Sequence, residues 1–231
     1  MFVLLLATRN AHKVSEIRTI LEDRFMCRSL EGFPNAPEVV EDAGTFGGNA
    51  TKKSIALARW LAATDGGSTG RGERLVLADD SGLEVDALQG APGVHSARFA
   101  ALDTGHPGNS SDAENRLKLL RLLQDVPIER RTARFRCVLA LTPAMDSPSQ
   151  YASPVCSANE LEMATELFEG ECPGRIIFEP RGSGGFGYDP LFVPEGHSRT
   201  FAEWPQTVKN ELSHRARALA RLKEYLTANF R

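Results

Sequence analysis

The chain opens on an unbroken apolar run, Phe2 to Ala7, that breaks at once into the polar stretch Thr8-Arg9-Asn10-Ala11-His12-Lys13. A strand apolar at every position has to be covered on both faces, which is the condition of a buried strand in an α/β sheet. A helix is expected directly after it, because Val14, Ile17, Ile20 and Leu21 recur at helical spacing with Glu16 and Arg18 facing outward. Strand, loop and helix in that order place Thr8 to Lys13 near a helix N-terminus, where backbone N–H groups and the macrodipole favour phosphate. The loop's hydroxyl, amide and ammonium would add donors. The alternative is that Asn10 simply caps the helix and Lys13 is solvated. The G-x-x-x-x-G-K spacing of a P-loop is absent.

The same pattern returns at residues 75–78, LVLA, an apolar strand that ends in Asp79-Asp80-Ser81-Gly82. Between the two strands, EGFPNAPEVVEDAGTFGG reads as an irregular loop feeding a helix from about Asn49 to Ala63, and TDGGSTGRGER as a flexible connection. Further on, DTGHPGNSSD is a loop, followed by a helix from about Ala113 to Leu123 with its apolar face on Leu117, Leu120 and Leu123. TARFRCVLALTP is a central strand and TPAMDSPSQYASP a proline- and serine-rich hairpin. Strand-like sequence then runs as far as Phe178, and Ser213 to Tyr225 is an amphipathic helix. The layout is α/β with a long mixed sheet flanked by helices. It has no internal repeat and no separate linker-delimited domain, so residues 1–231 are expected to form one domain of two lobes with a ligand cleft between them.

Composition narrows the chemistry. With 42% hydrophobic and 25% charged residues among 231, the chain can bury a substantial core. A net charge of −3, with bases scattered among acids, lacks the basic footprint of a protein that coats nucleic acid, so no polymer binding is expected. Cys27, Cys137, Cys156 and Cys172 have neither zinc-knuckle spacing nor the density of a disulfide scaffold. The opening apolar run is too short for a membrane span or a signal core, which leads to the expectation of a cytoplasmic protein.

Asp79 and Asp80 are the most diagnostic pair. Adjacent carboxylates repel, and on a continuing strand they point to opposite sides, so one can hold Mg²⁺ or position water while the other braces the loop. An Asx-turn is the competing reading. Glu38, Glu41 and Asp42 are candidates for a second Mg²⁺ ligand, a cation that favours one or two carboxylates plus substrate phosphates; spacing alone does not choose among them. Gly182, Gly184, Gly185 and Gly187 form a turn that permits close backbone approach, with Phe186 and Tyr188 as stacking faces and Asp189 as an acceptor for a ring N–H. Together with Lys209, His214 and Arg215, this turn reads as a base-and-phosphate pocket. His214-Arg215 opens a helix, where cations need a compensating partner. His12, His95, His106 and His197 have no mutual metal-ligand spacing, and Ser81, Ser183 and Ser213 lack a nucleophile elbow.

ATRNAHK, EDAGTFGGNATKK, LADDSGLEVDALQGAPGVHSARFA, GGFGYDPLF and TFAEW followed by KNELSHRARAL occur in the order found in the inosine/xanthosine triphosphate pyrophosphatase family. These proteins are also called Ham1-like or RdgB-like, and the chain resembles them from about residue 2 to residue 225. The resemblance implies an ITPase-like (Maf/Ham1-like) fold, an elongated mixed sheet of two lobes, a homodimer and Mg²⁺. It also implies hydrolysis of non-standard purine triphosphates (ITP, dITP, XTP) to the monophosphate and pyrophosphate. By motif position it puts phosphate binding on Thr8, Arg9, Asn10, Ala11, His12 and Lys13, a helix lysine on Lys53, and metal and water activation on Glu41 and Asp80. Ser81, Phe186, Gly187, Tyr188, Asp189, Lys209, His214 and Arg215 would complete the substrate contacts.

Two positions depart from the family pattern. Where members read T-F-x-E-N-A, this chain has Gly48 in place of the glutamate, which leaves open an alternative, a non-catalytic or weakly active nucleotide-binding protein of the same fold. Gln206-Thr207-Val208 replaces an acidic pair and is expected to be a surface change. A phosphatase releasing phosphate stepwise is the rival among enzymes.

Overall fold

The computed structural model describes residues 3–21, 25–64, 74–105, 108–144, 162 and 164–229. The glycine-rich connection after Thr64, nearly all of the proline- and serine-rich hairpin, Cys156 and His106 lie outside the described residues.

Six strands form one mixed sheet in the order β2-β1-β3-β4-β5-β6. They are β1 (Val3–Leu6), β2 (Met26–Ser29), β3 (Arg74–Val85), β4 (Thr132–Pro143), β5 (Glu166–Ile176) and β6 (Phe192–Pro194). β1 runs parallel to both β2 and β3, and β5 pairs antiparallel with β6. The helices are α1 (Ala11–Leu21), α2 (Phe46–Thr64), α3 (Asp112–Leu122), α4 (Gln206–Leu212) and α5 (His214–Asn229). None among the described residues is long and apolar enough to cross a membrane.

The chain divides into two compact units: Met1–Asp80 with Val138–Phe168 and Arg221–Arg231, and Ser81–Cys137 with Glu169–Ala220. In the first, Leu5 and Ala7 from the β1 segment, Val76 and Ala78 from β3, and Leu57, Ala58 and Leu61 from α2 share one buried cluster. Leu4 to Ala7 of the opening run are buried, as a strand covered on both faces must be. On α1, Val14, Ile17 and Leu21 are buried as their spacing predicts, but Glu16 is buried as well instead of facing outward. The buried arc of α1 is therefore wider than its apolar residues mark.

β3 differs most from expectation. It does not stop at Ala78 but continues through Asp79, Asp80, Ser81 and Gly82 to Val85. β1 is much shorter: its last paired residue is Leu6 opposite Leu77, and Ala7 N–H closes the ladder onto the Leu77 carbonyl at 2.8 Å. The two aspartates therefore sit in a strand just beyond the carboxyl end of its parallel neighbour, the place where α/β sheets leave room for a ligand.

In the second unit Leu83, Val85, Leu119, Phe135, Tyr188, Leu191, Phe192 and Phe201 form the core. The apolar face expected for α3 was displaced. Leu119 and Leu123 are fully buried, Leu120 is partly so, and Leu117 is 70% exposed. The buried stripe runs through Asn115, whose side chain accepts from Ala100 N–H at 2.8 Å and donates to the Ala97 carbonyl at 3.2 Å. A polar residue satisfied in this way occupies an inward position and disguises the period. Ser111 and Glu114 close the helix start with a capping box.

Gly170 on β5 lets the first turns of α5 lie against the strand. A Cβ there would fall 2.5 Å from the Ala218 backbone nitrogen and closer still to the His214 carbonyl. Gly170→Ala should therefore destabilise the protein by about 1–3 kcal/mol through overpacking, measured by denaturant unfolding.

Candidate active site

The candidate site residues of the first unit gather where β3 outruns β1. Adjacent residues on a strand point to opposite faces, and Asp79 and Asp80 do so to different partners. Asp79, 1% exposed, accepts from Lys13 Nζ at 2.6 Å. Its backbone carbonyl receives both Lys13 Nζ and Lys53 Nζ at 3.4 Å. Asp80, 6% exposed, accepts from Asn49 Nδ2 at 3.0 Å. Burial foremost pushes the Asp80 carboxyl above its ordinary pKa, against the charges of Lys13 and Lys53 and the Asn49 hydrogen bond, while nearby Glu41 pushes it further up.

Of the three acids in the preceding loop, the structure turns Glu41 inward, with Oε1 2.8 Å from Lys53 Nζ. Asp42 instead pairs with Lys52 on the exposed side, which holds its carboxyl below the usual range, and Glu38 is exposed. Among the described residues no cluster of three or more His, Cys, Asp or Glu could hold a metal on its own. Glu41 and Asp80 nevertheless fit a hard divalent cation that takes its remaining ligands from water and phosphate. They bring two carboxylates into mutual repulsion, one of them buried and raised in pKa, which a cation would relieve.

The loop after β1 is more self-satisfied than a bare phosphate loop. Asn10 Oδ1 accepts from His12 N–H and Lys13 N–H at 2.9 and 3.2 Å, and Thr8 Oγ1 accepts from Asn10 N–H at 3.1 Å. Asn10 is therefore the cap of α1, and the loop's solvent-facing chemistry lies in its side chains. Arg9 reaches away to the Ala36 carbonyl at 3.2 Å, while Ala11 and His12 are exposed.

Asn49 joins the candidate site without any motif in the sequence marking it. It is fully buried, donates to Asp80 and accepts from Ala43 N–H at 2.9 Å, so it aims the carboxylate from the first turn of α2. The signal was available: an asparagine beside Phe46 and Ala50 on the buried stripe of a helix needs partners. Gly48 sits in the same turn, its N–H donated to Thr45 Oγ1 at 3.1 Å. A Cβ at Gly48 would lie 2.8 Å from the Ala43 Cβ and 3.0 Å from Thr45 Oγ1. Glycine there lets the segment carrying Glu41 fold tightly onto α2.

The second unit builds an aromatic and cationic site on the glycine-rich turn. Asp189 Oδ2 accepts from Phe186 N–H at 2.9 Å and from Lys209 Nζ at 2.6 Å, so this carboxylate braces the turn. Lys209 is 2% exposed and lies 4.6 Å from the centre of the Phe186 ring, with the Arg215 guanidinium 5.9 Å from the same ring. Tyr188 is a core residue, its hydroxyl donated to the Ser96 carbonyl at 2.9 Å and its pKa raised by burial. The stacking face this turn leaves partly open is that of Phe186. His214 begins α5 and stacks on Phe135 with ring centres 4.8 Å apart. Arg215, 1% exposed, donates to Ser81 Oγ at 2.8 Å.

The first unit thus carries two lysines over a carboxylate pair at a strand end, and the second an aromatic turn flanked by buried cations, in an α/β protein. The profile of the Ham1 family matches residues 4–225, and the chain belongs to that family. It is 46% identical over 224 residues to the dITP/XTP pyrophosphatase of Geobacter sulfurreducens, covering 96% of each chain. It is 44% identical over 221 residues to the dITP/XTP pyrophosphatase of Shouchella clausii, covering 96% of this chain and 94% of that one. The structure of a HAM1 protein from Coxiella burnetii superimposes with a TM-score of 0.74 at 34% identity, over 99% of this chain and all of that one.

The two lysines should separate stability from activity. Lys13→Ala would take the ammonium away from the buried Asp79 carboxylate and cost about 3–5 kcal/mol, whereas Lys53→Ala removes a partly exposed pair with Glu41 and should cost under about 1 kcal/mol. Urea unfolding of both variants measures the difference.

Proposed function

We propose that this chain is a nucleoside-triphosphate pyrophosphatase that hydrolyses dITP, ITP and XTP to the nucleoside monophosphate and pyrophosphate, and so clears non-standard purines from the nucleotide pool. The observation that carries the reading is the buried Asp80, raised in pKa beside Lys13, Lys53 and Glu41, in a chain 44% identical to proteins named for this activity. Nothing found favours the non-catalytic alternative, since position 48 lies in a turn where this chain packs tightly without a side chain.

Asp80 would hold the attacking water and accept its proton as the oxygen adds to the α-phosphorus, with pyrophosphate as the leaving group. Asp79 is committed to Lys13, which leaves Asp80 to meet the water. Lys13 and Lys53 would neutralise charge on the phosphate oxygens, and Thr8 and Asn10 would line the same end. Mg²⁺ on Glu41 and Asp80, when bound, would supply a Lewis acid to the polyphosphate. No covalent nucleophile is required.

Phe186 would stack on the purine. The N–H groups of Phe186 and Gly187 are already donated to Asp189 and Asp112, so His214 and Arg215 are the groups we assign to the 6-oxo position. A 6-amino group in its place would meet donors with donors, a costly mismatch when buried. Lys209 we place at this end, through Asp189, and not on the phosphates. The family resemblance further supports a homodimer working in the cytoplasm.

Anion-exchange analysis of products from ITP, dITP, XTP, ATP and GTP tests the reading: IMP and pyrophosphate are expected from ITP, and IDP with phosphate would refute it. Asp80→Asn should lower turnover by at least about 10²-fold. The same variant should be the more stable protein without metal, because a carboxyl whose pKa is raised in the fold contributes stability only while protonated and loses it as pH rises through that value. Its gain in Tm over the parent should accordingly be larger at neutral than at acid pH. Added Mg²⁺ should raise the Tm of the parent and leave that of the variant nearly unchanged, both read by differential scanning calorimetry.

A further inference from the structure

The backbone of Gly187, between Phe186 and Tyr188, is gripped from both sides by one helix. Gly187 N–H donates to Asp112 Oδ2 at 2.6 Å, and the Gly187 carbonyl accepts from Arg116 Nη1 at 2.7 Å. Asp112 and Arg116 stand one helical turn apart in α3 and so present themselves to the same neighbour. Both bonds are charge-assisted, stronger and shorter than a neutral pair.

Gly187 has φ +61° and open space around it, so its conformation, not its size, calls for glycine. A turn this rich in glycine has little stiffness of its own. The N–H of Phe186 is fixed by Asp189, and the peptide that follows is fixed by Asp112 and Arg116, which leaves the ring little freedom to tilt. α3 is itself tied down. Asn115 bonds to Ala97 and Ala100, and Lys118 donates to the Phe99 carbonyl at 2.7 Å and to Asp103 at 2.6 Å. Tyr188 closes the circuit on the neighbouring Ser96.

We propose that Asp112 and Arg116 are positioning residues for purine recognition: by clamping the Gly187 peptide they set the attitude of Phe186 and with it the preference for a 6-oxo base. This rests on the reading of Phe186 as the base wall. Asp112 is exposed and Arg116 only half-buried, so neither is required to fill the core. Two charged side chains converging on the N–H and C=O of one glycine in a surface turn have a geometric task.

The test compares Arg116→Met, which keeps the stem and loses the fork, with Asp112→Ala and Asp112→Asn, which loses or keeps an acceptor. Each is taken through steady-state kinetics with ITP and ATP, with Tm as a check on folding. Arg116→Met and Asp112→Ala should raise KM for ITP about tenfold and shrink the ITP-over-ATP preference by a similar factor, with kcat within about threefold of the parent. Asp112→Asn should recover most of the loss. The clamp is refuted if folded Arg116→Met keeps the parental KM and preference, if kcat falls while KM stands, or if Asp112→Asn behaves as Asp112→Ala. Titration of ITP and ATP into the same variants on an Asp80→Asn background reads the clamp without turnover. A parent that binds ITP selectively but releases no pyrophosphate would refute the pyrophosphatase reading and leave the clamp standing.

Discussion

A carboxylate buried in the middle of a strand persists only where a cation meets it, and Lys13 meets Asp79 at 2.6 Å. That contact allows β3 to carry two adjacent acids past the end of β1 without breaking into a turn. With Asp79 neutralised on one side of the strand, Asp80 can be presented on the other. Asn49 then orients it, and the Lys53–Glu41 pair draws the acidic loop toward it. The site of the first unit is a consequence of unequal strand lengths made tolerable by one ion pair.

The second unit solves a similar problem with different means. A glycine-rich turn bearing an aromatic ring has little stiffness of its own, and here its stiffness comes from side chains that fall elsewhere in the chain. Asp189 and Lys209 form a buried pair beneath Phe186, and α3 holds the peptide that follows it. Groups that a sequence reading offers to the ligand, such as the Tyr188 ring and the carboxylate of Asp189, are thus partly taken up in holding the turn.

Much of the fold was legible because burial writes itself as periodicity. The opening strand, the helix after it, the central strand β4 and the last helix all announced themselves through apolar spacing. The failures share one cause, polar residues that occupy inward positions once their partners arrive. Asp79 and Asp80 concealed the continuation of β3, Asn115 concealed the inner face of α3, and Glu16 widened the buried arc of α1. Asn49, inward-facing and bonded to Asp80, is hidden in the sequence for the same reason.

By itself the sequence determined which chemistries were on offer: a lysine-bearing loop after a buried strand, a pair of aspartates, a glycine-rich aromatic turn, and the ordered motifs of the Ham1 family. Those depend on residue type and local spacing, which a string of letters contains. Only the tertiary structure decided that Glu41 pairs with Lys53 while Asp42 pairs with Lys52, and that Lys209 belongs with Asp189. It also decided that Asp112 and Arg116 reach the Gly187 peptide. These choices are made by contacts between residues distant in the chain, whose energies depend on burial and on angles that appear only when the backbone has closed.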